Sequence, residues 1–205
     1  TVGALGAAKD ADKVIPYLKD FDPTIAAAAA KILSDWTGDI YVAEPQPRER
    51  PSVPSPEDLR SMAGSQVIFE LTGGTSFDVR LFPYDAPTVT ARFVQLVKSG
   101  YFNGLSFHRV APNFVIQGGS PGANEFMGAE RYTRDEITDR SHTRGTLGIS
   151  TRGRDTGDAQ IFVNLADNLR LNHNYTIWGE VIRGMATVDA VQEGAVISQV
   201  RIVAR

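Results

Sequence analysis

One arginine, two phenylalanines and one glutamine crowd into the stretch Ser106-Phe-His-Arg-Val-Ala-Pro-Asn-Phe-Val-Ile-Gln-Gly-Gly119. Arg109 carries a planar fork of donors that stays charged at any working pH. Phe114 and Val115 supply an apolar wall, and Gln117 a neutral amide that both donates and accepts. Two short strand-like runs around the Pro112-Asn113 turn hold these groups close together. A fixed cation, a dry wall and an amide suit work on a neutral peptide bond, where no proton has to leave.

The elements that must position this stretch are mainly β. From Gln66 the hydrophobic period becomes two: Val67, Phe69 and Leu71 alternate with Gln66, Ile68 and Glu70, and Phe77, Val79 and Leu81 alternate again after a Gly73-Gly74 turn. That is a hairpin pattern. Strands are predicted over 66–72, 76–82, 105–109, 114–118, 146–149, 160–163, 176–182 and 197–203. Pro87 opens a helix with Phe93, Val94, Leu96 and Val97 on one side and Gly100 as a left-handed cap, and a second helix is predicted near Met185 to Gln192. Eight strands and two helices suit a closed antiparallel barrel capped by helices, since closure removes edge strands.

Upstream the character differs. Residues 1–43 read as a helical hairpin: Val14, Ile15 and Leu18 fall at helical spacing, Asp22 is an N-cap, Pro23 fits the first turn, and a second helix runs through the alanines to Gly38. The pattern Val14-Ile-Pro-x-Leu18-x-Asp20-x-Asp22-Pro23 resembles a HEAT-type repeat, which stacks on neighbours to bury its apolar face; an accessory hairpin is the other reading. Residues 44–64, with Pro45, Pro47, Pro51, Pro54 and Pro56, read as a semi-rigid linker or a docking ligand.

Composition narrows the chemistry. A net charge of −3 gives no reason to expect nucleic acid, and no apolar run approaches the length of a membrane span. With no cysteine there is no disulfide, thiolate nucleophile or cysteine-held metal. His142 and His173 stand in apparent loops without metal spacing, and the charged run Arg131 to Arg144 reads as a solvated loop. No cofactor is implied. The opening Thr-Val-Gly-Ala-Leu, without Met or a leader-like region, reads as part of something longer.

Residues 107–119 resemble the signature of the cyclophilins, the peptidyl-prolyl cis/trans isomerases, F-H-R-x-x-P-x-F-x-x-Q-G-G, at every fixed position. Gly145-Thr-Leu-Gly-Ile-Ser150, Ala159-Gln-Ile-Phe-Val163 and Tyr175-Thr-Ile-Trp-Gly-Glu-Val181 match later strands of the family in order, so the resemblance covers residues 65–205. It implies the same barrel and a role for Arg109 in catalysis, with Gln117 holding the arginine and the substrate backbone. It implies a proline pocket from Phe114, Val115, Phe162 and Leu171, a polar wall at Gln160, and a substrate-aligning strand at Ser150 and Thr151. Tyr175 stands where many members have His, Arg170 where many have Trp, Ile161 replaces a Phe, and Arg152 replaces a small residue bordering the groove.

The expected function is therefore a prolyl isomerase acting on proline-containing polypeptides to assist folding. The alternative is a non-catalytic module that only grips such peptides or serves as a scaffold. Further protein partners are expected through the helical repeat. The location leans toward a bacterial periplasm or cell envelope, with the cytoplasm as the alternative.

Overall fold

Alternating burial along β1 (Ser65–Leu71) turns Val67, Phe69 and Leu71 into the core, and β2 (Ser76–Leu81) answers with Phe77, Val79 and Leu81. Their register pairs Phe69 with Phe77, whose rings stack at 4.7 Å. These facts come from a computed structural model that describes residues 6–46 and 53–204. The chain divides into two compact units at the 50/51 boundary. Part of the expected linker, residues 47–52, lies outside the described residues.

In the second unit, β3 (Ser106–Phe107), β4 (Arg109–Ala111), β5 (Val115–Gly118), β6 (Thr146–Ile149), β7 (Ile161–Asn164), β8 (Ile177–Arg183) and β9 (Ala195–Ala204) complete one antiparallel sheet in the order β3-β9-β1-β2-β8-β6-β7-β5-β4. The two ends of that order, β3 and β4, are consecutive in the chain, so the sheet nearly closes on itself. Nine strands therefore replace the eight expected: the run 105–109 breaks at His108 because Phe107 pairs with β9 and Arg109 with β5. At this seam a Cβ on Gly118 would lie 2.8 Å from the Ser106 carbonyl oxygen. Only glycine lets β5 come so close to β3.

Trp178, Phe69, Phe77, Phe102 and Phe107 are fully buried inside. The helix Pro87–Lys98 packs Phe93 over Trp178 at 4.2 Å and ends before Gly100 at φ +72°. Its first backbone N–H groups have no side-chain cap of their own, and the Glu136 carboxylate accepts from Thr88 N at 3.0 Å and Val89 N at 2.9 Å. An anion at a helix start satisfies orphan donors and the dipole. The run Arg131 to Arg144 is thus no solvated loop: Arg140 also bonds Asp85, Arg144 bonds Asp189, and His142 is fully buried. The last helix is short, Met185–Asp189.

A further helix, Pro56–Ala63, stands where the linker 44–64 was expected. Ser55 and Asp58 form a capping box, with Pro56 in the first turn. Met62, 7 % exposed, and Leu59 pack against the barrel core. Burying a Met side chain contributes roughly 1.5–3 kcal/mol. A chain starting at residue 51 is accordingly expected to melt about 5–10 °C above one starting at residue 65. Thermal unfolding followed by circular dichroism checks this, and equal midpoints would show that the helix adds nothing.

In the first unit, Pro16 interrupts the expected first helix. Short 3-10 segments, Ala8–Asp10 and Ile15–Lys19, flank one α turn at Ala11–Val14. A proline has no N–H for the α ladder. Pro23–Thr37 is a regular helix whose N-cap Asp22 accepts from Thr24 N at 2.8 Å. Val14, Ala29 and Leu33 form its small core. Among the described residues no helix is long and apolar enough to cross a membrane.

Candidate active site

Cross-strand register assembles the site. Arg109 on β4 pairs with Gln117 on β5, Gln117 with Phe162 on β7, and Phe162 with Gly148 on β6. Their neighbours Ile116, Ile161, Val163, Leu147 and Ile149 face the core. Because side chains alternate along a strand, the row Arg109, Gln117, Phe162, Gly148 lies on the opposite, outer face. Val115 shares that face one rung away, paired with Ala111 and Asn164.

The polar members form a relay. Arg109 donates through Nη1 to Gln117 Oε1 at 3.1 Å. Gln117 Nε2 donates to Gln160 Oε1 at 2.9 Å and Ser150 Oγ at 3.1 Å. Gln160 Nε2 in turn donates to the carbonyls of Met127, 2.7 Å, and Asn124, 3.0 Å. Gln117 and Gln160 are buried, so each amide's orientation is fixed by its partners. The Arg109 side chain keeps 43 % of its surface exposed, lies 3.8 Å from the Glu125 carboxylate and stands 5.8 Å over the Phe114 ring. It is held at one end and open at the other.

Arg109, Gln117, Ser150, Thr151, Arg152, Gln160 and Tyr175 line one cavity of about 370 Å³. Thr151 and Tyr175 also line a neighbouring cavity of about 370 Å³, together with Leu171 and Arg170. Phe114, Val115 and Phe162 line neither. Val115 and Phe162 are buried, and the Phe162 ring meets Tyr175 edge-on at 5.8 Å. Phe114 is half-buried and carries Arg170 over its face at 4.4 Å. Arg152 is not a free charge: it donates to the Phe126 carbonyl at 2.8 Å and stands 5.3 Å over the Phe126 ring.

Several supporting residues escaped sequence reasoning. Asp158, nearly buried, accepts from Glu130 N at 2.8 Å and pairs with Arg92 at 3.4 Å, which ties the 120–130 segment to the barrel beside the cavity. Gly148 leaves the space that the Phe162 ring fills. His142, in a loop as expected, is 0 % exposed and bonded at both ring nitrogens. No local pattern marks a loop histidine for burial, because its cover comes from distant segments.

Burial holds the His142 imidazole below its ordinary value of 6.5, and the bond to the Tyr175 carbonyl opposes this only in part. His108, partly buried, is pushed the same way. Between each lowered value and 6.5 the unfolded chain binds more protons than the folded one, so stability rises with pH there. The contribution is fully present above about pH 6.5 and is lost as pH falls through the folded values. Urea unfolding between pH 7.5 and pH 5 is expected to show this decline, and His142→Phe to flatten part of it. A decline identical in that variant would assign the slope elsewhere.

Comparison with known proteins gives the family. Residues 67–205 match the model of the cyclophilin type peptidyl-prolyl cis-trans isomerases. The chain is 34% identical over 137 residues to peptidyl-prolyl cis-trans isomerase B of Bacillus subtilis, covering 65% of this chain and 95% of that protein. It is 35% identical over 141 residues to a peptidyl-prolyl cis-trans isomerase of Synechococcus elongatus, covering 68% and 97%. The crystal structure of a cyclophilin type isomerase from Cryptosporidium parvum superposes with a TM-score of 0.63 at 26% identity, covering 69% of this chain and 98% of that one. The same protein was also crystallised in the presence of the dipeptide Ala-Pro. With the family model covering more than half of its length, the chain belongs to the cyclophilin type peptidyl-prolyl cis-trans isomerases.

Proposed function

We propose that residues 65–205 rotate X-Pro bonds of polypeptides, with Arg109 stabilising the twisted amide. Amide resonance sets a barrier of about 18–20 kcal/mol. Twisting breaks that resonance and returns a lone pair to the prolyl nitrogen, which becomes a hydrogen-bond acceptor. A donor aimed there lowers the barrier only if it binds the twisted state better than either planar isomer. Arg109 suits this because its charge is permanent and one end of its fork is free. Gln117 fixes the other end. Phe162 and Tyr175, with Phe114, Val115 and Leu171 beside them, are assigned to gripping the proline ring. Ser150, Thr151 and Gln160 are assigned to the peptide backbone, and Arg152 to the rim.

The single observation behind this reading is the cross-strand row from Arg109 to Gly148, which puts a tethered guanidinium on the face that also carries Phe162, the ring assigned as the aromatic floor beneath Tyr175. Exchange spectroscopy by NMR on a short peptide with one Ala-Pro bond tests it. Uncatalysed exchange takes tens to hundreds of seconds; with the chain present it is expected in well under about one second. Binding without acceleration would make this a peptide-gripping module. The first unit is assigned to recruiting client proteins as one HEAT-like repeat, since Ile15, Tyr17 and Ile25 stay 40%, 53% and 44% exposed and stacked repeats cover such faces.

A further inference from the structure

The floor of the site is held from behind by a network that the rotation itself does not use. His142 Nε2 lies 3.1 Å from the Tyr175 carbonyl oxygen, and Asn164 Nδ2 lies 3.2 Å from His142 Nδ1. A carbonyl only accepts, so Nε2 carries the proton, and Nδ1 is left to accept from the Asn164 amide. Asn164 Nδ2 also donates to Thr146 Oγ1 at 2.9 Å, and its Oδ1 accepts from Asn168 Nδ2 at 2.8 Å. Asn168 Nδ2 reaches on to the Phe114 carbonyl at 2.9 Å. The chain of bonds therefore begins at the backbone of Tyr175 and ends at the backbone of Phe114. The His142 ring also lies against Phe162 at 5.7 Å, 24° from parallel, and edge-on to Tyr175 at 6.4 Å. His142, Asn164 and Asn168 are all buried.

We propose that His142, in its neutral Nε2–H form, is a positioning residue that locks Tyr175 and Phe162 into one arrangement for the proline ring. This rests on the reading of the site given above. Such a residue touches no reacting atom. An aromatic pocket holds the ring equally in the planar and twisted states, so loosening it weakens uniform binding and raises KM, whereas losing a group that acts only on the twisted state lowers kcat.

The test compares kcat and KM for the Ala-Pro peptide in wild type, His142→Phe, His142→Gln and Arg109→Ala. Phenylalanine keeps a ring against Phe162 but bonds neither Tyr175 nor Asn164. Glutamine carries an amide that can again donate to the Tyr175 carbonyl. His142→Phe is expected to raise KM about tenfold with kcat within about twofold, and His142→Gln to recover most of that loss. Wild-type KM in His142→Phe, or an equal rise in both variants, overturns the inference. Should His142→Phe fail to fold, the imidazole nitrogen signals of the wild type decide: an Nε2–H form whose resonances move on saturation with the peptide is expected. An Nδ1–H form, or signals that do not move, overturns it. Wild-type kcat in Arg109→Ala instead strikes the arginine reading and leaves the His142 result standing.

Discussion

Gly148→Ala is expected to remove at least about nine tenths of the isomerase activity and to destabilise the barrel by about 1–3 kcal/mol. A Cβ at this position would lie 2.6 Å and 2.8 Å from Cε1 and Cε2 of Phe162, and closer still to Cζ. Something must move. The backbone of β6 is pinned, because Leu147 and Ile149 on either side point into the core and are nearly fully buried. The Phe162 backbone is pinned by pairing with both Gln117 and Gly148. Only the ring can yield, and its shift disturbs its contacts with Tyr175 and His142. Adding Phe162→Leu to Gly148→Ala removes the clash, so stability should recover while activity stays low for want of the aromatic floor. Urea midpoints and kcat/KM for the single and double variants check both halves. Wild-type kcat/KM in Gly148→Ala would mean that the Phe162 ring is not the floor of the site.

The parts of this fold that depend on neighbours along the chain were legible in the sequence. Alternation at Val67, Phe69 and Leu71 gave the first hairpin, and Asp22-Pro23 gave the start of a helix. The Pro112-Asn113 turn between two strand-like runs brought Arg109 and Gln117 close together, while their direct pairing came only from the family resemblance. Gly148 was harder, since its meaning comes from a ring on another strand that no local pattern reveals. The helix Pro56–Ala63 is masked although Ser55-Pro-Glu-Asp58 is a start signal, because Pro45, Pro47, Pro51 and Pro54 before it suggest an extended segment. Glu136 and His142 likewise took their meaning from partners far along the chain: two amides of a helix for one, Tyr175 and Asn164 for the other. Burial and register are non-local, and a single sequence carries them only where a repeated motif stands in for the missing partner.

Arg109→Ala is the second large effect. Loss of one preorganised donor to a group that appears only in the transition state costs about 10²–10³ in rate. The fold should tolerate the change, because nearly half of the Arg109 side chain is exposed and Gln117 keeps its bonds to Ser150 and Gln160. Stability is expected within about 0.5 kcal/mol of wild type. Affinity for the peptide should fall little, since the aromatic floor and the backbone-facing groups remain. The decisive measurement is NMR exchange on the Ala-Pro peptide with Arg109→Ala at a concentration shown by titration to saturate the peptide. The expected result is a bound peptide whose X-Pro bond turns at least about a hundredfold more slowly than with wild type. A bound peptide exchanging at the wild-type rate would contradict it.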